Sequence, residues 1–312
     1  MSRTVVITGA SAGVGRATAR AFARRGDRIG LIARSQEQLE ATARDVRSLG
    51  GTPLVLPADV SDSEAVAAAA AQAAAQLGPI AVWINDAMVA VLAMSWDTKA
   101  QEYRRVTEVT YLGTVNGTLA ALARMRPRDR GVIVQVGSAL SYRAIPLQSS
   151  YCAAKFAIRG FTDSVRTELM HDSSGVRITM VQLPGLNTPQ FTWVRARIPH
   201  EPRPVAPVYQ PEIAADAIEW ASRHPRRELW VGGNTAAIIA GSQLAPWLAD
   251  RYLARTNVDA QQTDEPLPPD RPDYLDGPLP GDRGAHGPFD DESKTRSIQL
   301  TLAKARSLLR RR

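Results

Sequence analysis

The tightest constraint on the fold lies in the first 25 residues. A short β-branched run, Arg3–Thr8, passes directly into TGASAGVG (Thr8–Gly15) and then into Gly13–Arg25, whose Ala17, Ala21 and Phe22 share one helical face. Glycines 9, 13 and 15 sit where a strand turns into a helix. Glycine there lets the backbone approach a pyrophosphate closely, and the helix N-terminus adds N–H donors and a positive dipole. A glycine triplet elsewhere would more often serve a plain turn; this position points to a nucleotide. Gly9, Ser11, Gly13, Val14 and Gly15 are therefore expected to hold a dinucleotide.

The same alternation continues. Apolar strand-like runs occur at Arg28–Ala33, Thr52–Leu56, Ile80–Asn85, Gly131–Val136, Val176–Leu183 and Glu228–Val231. Helical patterns separate them: Ser35 (as N-cap) to Ser48, Ser61–Leu77, one long helix over 99–125, Ser149–His171 and Pro211–Ser222. Such βαβ units predict an α/β chain with a doubly wound parallel sheet between two helical layers. Runs such as Val132-Ile133-Val134 are continuously apolar, as burial on both faces requires.

Two segments break the rhythm. Residues 184–210 carry six prolines together with Phe191, Trp193 and Tyr209, and are expected to form a lid or substrate loop. Phe191, Trp193, Val194 and Ile198 either line an apolar pocket or pack the loop on its own domain. Residues 257–292 are expected to be an extended strap or disordered, because 259–292 holds seven prolines, ten acids and two arginines. The domain plan is one domain over 1–256, this strap, and a basic tail over 293–312. Within the tail, Ile298, Leu302, Ala305 and Leu309 fall on one helical face. That stripe has three placements: solvated or paired with the acidic strap, docked on a neighbouring subunit, or laid on an anionic membrane surface, the least favoured.

The net charge of +7 belongs to the tail, whose seven cations leave 31 basic and 31 acidic residues over 1–292. No nucleic-acid partner is expected from such a balance. One cysteine, Cys152, excludes an internal disulfide, and four scattered histidines argue against a metal site. The uncharged stretch Leu229–Ala249 contains Gly232, Gly233, Asn234 and Pro246, and reads as a strand plus a buried helix. With no secretory pattern, the expected location is cytoplasmic.

At the end of the second strand, Ala33-Arg34 stands where an acid would bind the adenosine ribose hydroxyls. Arg34 suits a ribose 2′-phosphate through its planar fork, with Arg16 and Ser11 in the facing turn. NADP(H) is thus expected over NAD(H). Asp59, with Val60 beside it, is placed to meet adenine; capping the next helix near Ser61 is its other use.

The chemistry falls at Ser138, Tyr151 and Lys155. Tyr151 and Lys155 lie one helical turn apart, and Ser138 follows the fifth strand. A free phenol has a pKa of about 10, which a neighbouring ammonium lowers. A serine hydroxyl can hold a substrate oxygen as charge develops on it. Cys152 points off that face and reads as a small packed thiol.

With these residues in place, the chain over about 3–232 resembles the short-chain dehydrogenase/reductase (SDR) family, through TGASAGVG, Asp59, Asn85, Ser138 and YCAAK at 151–155. The resemblance implies a Rossmann sheet of seven strands and NAD(P)-dependent redox of a carbonyl and an alcohol. It assigns Tyr151 as acid/base, Lys155 to the nicotinamide ribose and the phenol's pKa, Ser138 to the substrate, and Pro184, Gly185 and Thr188 to the nicotinamide. It also implies a homodimer or homotetramer through the two long helices.

Three positions depart from the family pattern. Asn85-Asp86-Ala87-Met88 replaces Asn-Asn-Ala-Gly, keeping Asn85 as a cofactor-side residue. Thr110 stands where the long helix carries a relay asparagine, and is expected to substitute for it; Asn116 would face another way. The Pro-Gly to Thr spacing is one residue short. The leading function is an NADP(H)-dependent carbonyl/alcohol oxidoreductase acting on a small, apolar-leaning substrate. The alternative is a catalytically silent cofactor-binding regulator or scaffold on the same fold.

Overall fold

The computed structural model describes residues 2–233, 235, 241 and 245–309. Its centre is a seven-stranded parallel sheet built from β1 (Thr4–Thr8), β2 (Arg28–Ala33), β3 (Thr52–Pro57), β4 (Ile80–Asn85), β5 (Gly131–Ser138), β6 (Val176–Leu183) and β7 (Glu228–Trp230), in the order β7-β6-β5-β4-β1-β2-β3. Every neighbouring pair is parallel. The continuous apolar runs are explained by the two cores. Val5, Ile7, Leu31 and Ile84 pack with Phe22 and Leu39 on one face, while Val6, Ile32, Trp83 and Ile133 pack with Val66 and Met125 on the other. Strand order reverses between β1 and β4, which opens a crevice at their carboxyl ends.

The helices are α1 (Gly13–Ala23), α2 (Gln36–Ser48), α3 (Ser63–Leu77), α4 (Ala100–Val106), α5 (Gly113–Met125), α6 (Ser149–His171), α7 (Pro211–Arg223), α8 (Pro246–Thr256) and α9 (Ile298–Leu309). The single helix expected over 99–125 is interrupted by a π-helical stretch, Thr107–Leu112. There the Thr110 hydroxyl turns inward to bond the backbone of Val89, and Gly113 lies so close to Val60 that a Cβ would sit 2.5 Å from its Cγ2. π-helical insertions of this kind gather at functional sites.

The 184–210 loop is pinned at two places. Arg195–Arg197 pairs with Val91–Ala93, and His200–Pro202 pairs with Gln262–Pro266. Residues 267–297 then run without a helix across the carboxyl ends of the strands. Their acids pair with the body: Asp273 and Asp276 with Arg195, Asp282 with Arg16, and Glu292 with Arg203. The basic tail behaves differently from its stripe. Ile298 and Leu302 face outward, whereas Leu300 and Ala303 pack on the core. The side chain of Leu309 and most of the helix read into Leu229–Ala249 lie outside the described residues. Among the described residues, no helix is long and apolar enough to cross a membrane.

Candidate active site

The glycine turn is shaped by backbone crowding. Gly9 and Gly13 have φ of +73° and +53°, in the left-handed region that favours glycine. A Cβ on Gly9 would meet the Ala87 backbone at 2.9 Å, and one on Gly15 would lie 2.2 Å from the Gly9 carbonyl oxygen. Thr8 ties β1 to β4 by accepting the N–H groups of Asp86 and Ala87. The N-cap of α1, Ala12, provides no side-chain acceptor, and the first turn holds no acid. A helix start without its own anion suits one brought by a ligand.

That turn opens on a cavity of about 380 Å³ at the carboxyl ends of the strands. Gly9, Ser11, Gly13 and Val14 line one end, with Arg34, Asp59 and Val60 beyond them. Pro184, Gly185 and Thr188 line the lid side, and Ser138, Tyr151 and Lys155 line the far end. Ser138 ends β5, while Tyr151 and Lys155 lie in the first two turns of α6.

The Tyr151 phenol is hydrogen-bonded to Ser138, whose Oγ also accepts the Leu140 N–H at 3.1 Å. Lys155 Nζ donates to the Val136 carbonyl at 2.7 Å and lies 5.5 Å from the Tyr151 ring centroid. Burial pushes the phenol pKa up, with nearby Cys152, Tyr274 and Asp86 acting in the same direction and the Ser138 bond opposing them. Burial pushes Lys155 down, opposed by Asp86. It pushes the Asp86 carboxyl up, opposed by Lys155 and by the Gly15 N–H. The phenol is therefore held protonated at neutral pH, as a proton donor must be.

The family model for short chain dehydrogenases matches residues 3–198. The chain belongs to the short-chain dehydrogenase family. "Uncharacterized oxidoreductase YxnA" of Bacillus subtilis (strain 168) is 31% identical over 269 residues, 86% of this chain and 76% of that one. Human "Dehydrogenase/reductase SDR family member 7" is 36% identical over 169 residues, 53% of this chain and 50% of that one. Two solved structures share the fold at 26% identity. A metagenomic short-chain oxidoreductase in complex with NADP has a TM-score of 0.62 and covers 73% of this chain and 96% of its own. The alcohol dehydrogenase of Thermococcus sibiricus complexed with 5-hydroxy-NADP has a TM-score of 0.63, with 74% and 96% covered. The chain is thus an SDR oxidoreductase whose residues beyond 198 exceed the family model.

Four residues expected at the site do not line the SDR cavity. Asn85 turns into the core, accepting from Trp83 Nε1 at 2.8 Å and donating to Gln135 at 2.8 Å and Thr118 at 3.1 Å. Thr110 is fully buried, its hydroxyl donating to Val89 O at 3.0 Å and accepting the Val89 N–H at 3.1 Å. It supports the segment after β4 rather than reaching a substrate. Gly15 lies behind the turn, and Arg16 points to Asp45, at 2.8 Å, and to Asp282. Arg34 and Asp59 do line the cavity but already have partners. Arg34 donates to the carbonyls of Tyr274 (2.6 Å), Leu275 (3.4 Å) and Gly277 (3.5 Å). Asp59 accepts from Arg105 at 2.5 Å and from the Ser61 hydroxyl and N–H at 2.7 and 2.9 Å. Asp62, not Asp59, caps α3. Cys152 is buried, and burial pushes its thiol up to about 11, which leaves it unreactive.

Several lining residues escaped the sequence reading. Asp86 faces Lys155, and its neighbour Met88 lies against Tyr274. Tyr274 enters from the strap: its hydroxyl accepts the Ala90 N–H at 3.1 Å and its ring centroid lies 6.0 Å from that of Trp193. Gln38 donates to Leu279 O and Gly281 O at 2.6 and 3.0 Å. Asp86 was visible as a departure from the family motif; Tyr274 had no local signal.

Proposed function

We propose that this SDR is an NADP(H)-dependent oxidoreductase interconverting a carbonyl and an alcohol. The observation that carries this reading is the convergence of Ser138, Tyr151 and Lys155 at one end of the cavity that the glycine turn begins. A nicotinamide cofactor bound there would supply the hydride in reduction and accept it in oxidation. Ser138 and Tyr151 hold the carbonyl oxygen, and the phenol gives it a proton as the carbon receives the hydride. Lys155, desolvated beside the phenol, favours the phenolate that this leaves. The absence of an acid at Ala33 and the cation of Arg34 favour the phosphorylated cofactor. Leu92, Trp193, Val194 and Tyr274 give the substrate end an apolar wall, which suits an apolar carbonyl compound. Exposed Leu112, Leu119 and Phe156 on the two long helical stretches support a homodimer or homotetramer.

The test is calorimetric titration with NADPH and NADH, followed by a panel of ketones, aldehydes and alcohols monitored by NADPH absorbance. Tighter NADPH binding and turnover of at least one panel member are expected. Equal or tighter NADH binding refutes the cofactor assignment.

A further inference from the structure

We propose that the strap segment Tyr274–Gly284 is a built-in competitor for the adenosine end of the cleft, one that a 2′-phosphate must displace from Arg34; this rests on the NADP(H) reading above. The segment satisfies the groups a phosphorylated dinucleotide would use. Three strap carbonyls cover the Arg34 guanidinium. The Asp282 carboxylate pairs with Arg16, outside the cavity, and so anchors the strap to α1. Farther along, the Gly284 carbonyl accepts the N–H of Gly13 at 3.1 Å. Gly13 is the first residue of α1, where the helix lacks a side-chain cap and a pyrophosphate is expected.

The strap is held by both ends of a short path. Leu275 is fully buried in the core cluster beside Ile32, Leu56 and Val60. Upstream, Asp273 and Asp276 grip Arg195 of the lid at 2.8 Å each. Downstream, Gly287 bonds Asn187 at 3.3 Å. Gly281 and Gly284 adopt φ of +80° and +69°, and a Cβ on either would meet nothing, so these glycines are there for chain direction rather than room.

The competition is uneven, and that makes it selective. Strap carbonyls are neutral acceptors, whereas a phosphate offers Arg34 charge-assisted, bidentate bonds of roughly twice the strength. A nucleotide with a 2′-phosphate can therefore pull Arg34 from the strap; one without it has nothing to exchange for the three carbonyls. The strap thus lowers affinity for the 2′-phosphorylated nucleotide at Arg34, while one without that phosphate binds with Arg34 still covered and meets the strap only at the Gly284 carbonyl.

Two probes that differ only in the 2′-phosphate isolate this step: adenosine 2′,5′-bisphosphate and 5′-AMP. Amide hydrogen exchange on the full-length chain reads the strap through Tyr274, Leu275, Gly281 and Gly284, whose N–H groups are all bonded. The bisphosphate is expected to speed exchange over 274–281 about tenfold or more, and 5′-AMP to leave 274–281 unchanged, its 5′-phosphate meeting the strap only at the Gly284 carbonyl. By calorimetry, Asp282→Asn and Leu275→Ala should each bind the bisphosphate about three- to tenfold tighter than the parent, with 5′-AMP affinity unmoved. Bisphosphate binding only to the variants also supports the competitor. Bisphosphate binding that slows exchange over 274–281 or leaves it unchanged overturns it, as does unchanged bisphosphate affinity in both variants; either result leaves the NADP(H) reading standing. Failure of parent and variants alike to bind either probe removes both.

Discussion

Tyr151→Phe separates chemistry from architecture. The substitution removes one oxygen and keeps the ring, which packs beside Met88 and Tyr274 and lies beneath Lys155 Nζ at 5.5 Å. Ser138 loses its phenol partner but keeps the Leu140 N–H, so no buried acceptor is left empty. The stability cost is then that of one neutral hydrogen bond, about 0.5–1.5 kcal/mol. For a chain of this size that is a Tm shift of only a few degrees. The rate consequence is larger. With the proton donor gone, reduction should slow by about 10²–10⁴-fold, equivalent to roughly 2.7–5.4 kcal/mol of transition-state stabilisation. NADPH affinity should stay within about twofold, because the phenol is not among the groups proposed to hold the phosphates. The assay pairs NADPH oxidation with a reactive carbonyl substrate against thermal unfolding and calorimetric NADPH titration of the same preparation. A variant that turns over within tenfold of the parent refutes the assignment. Equal losses in rate and cofactor affinity would instead make Tyr151 a binding residue.

Gly15→Ala must shift the turn, because its Cβ would lie 2.2 Å from the rigid Gly9 carbonyl; a loss of about 1–3 kcal/mol in urea unfolding is expected, together with weaker NADPH binding. Asn85→Leu leaves Trp83 Nε1 and Gln135 Oε1 without the partner they share. Urea titration should show a loss of about 2 kcal/mol or more even with no nucleotide present. For Asp59, burial raises the carboxyl pKa, but the bonds from Arg105 and Ser61 outweigh it and hold the group below the usual carboxylate value. A depressed folded pKa stabilises above the unfolded value of about 3.9 and is lost as pH falls through the folded value. Asp59→Asn should therefore unfold at lower urea than the parent near pH 6, and the gap should close toward pH 3; a gap independent of pH defeats that account.

How much was readable depended on whether a position or a direction was at stake. The β-branched runs located all seven strands because Val5 and Val6, or Leu31 and Ile32, go to opposite cores and so must both be apolar. The glycine turn was legible for a similar reason, since backbone crowding at Gly9 and Gly15 leaves no other residue type comfortable. Side-chain direction was harder. Asn85 sits at a strand end, where ligands bind, yet it lies two residues after Trp83 and so shares that buried face. Strand alternation held that signal. The π-helical stretch was not readable, because the apolar pattern over 99–125 continues across Thr107–Leu112 without a break.

The strap shows why whole-chain charge is a poor guide to a site. Residues 1–292 balance at 31 basic and 31 acidic, which gives no overall charge excess to attract a polyanion and leaves only a local patch open. The structure divides that balance in space. Setting aside the ten acids and two arginines of 259–292 leaves 29 basic and 21 acidic residues over 1–258, a body with a charge of +8 under an acidic strap. Asp282 pairs with Arg16 of α1, and Asp273 and Asp276 pair with Arg195 of the lid. Those ion pairs are partly exposed, so each contributes at most about 1 kcal/mol and can be exchanged for a stronger anion at little cost. A nucleotide binding as proposed would therefore meet Arg34 already covered by strap carbonyls, on a strap anchored through its own carboxylates. Its binding free energy would then be a difference between strap and phosphate at one guanidinium, and the summed charge of zero over 1–292 carries no trace of that competition.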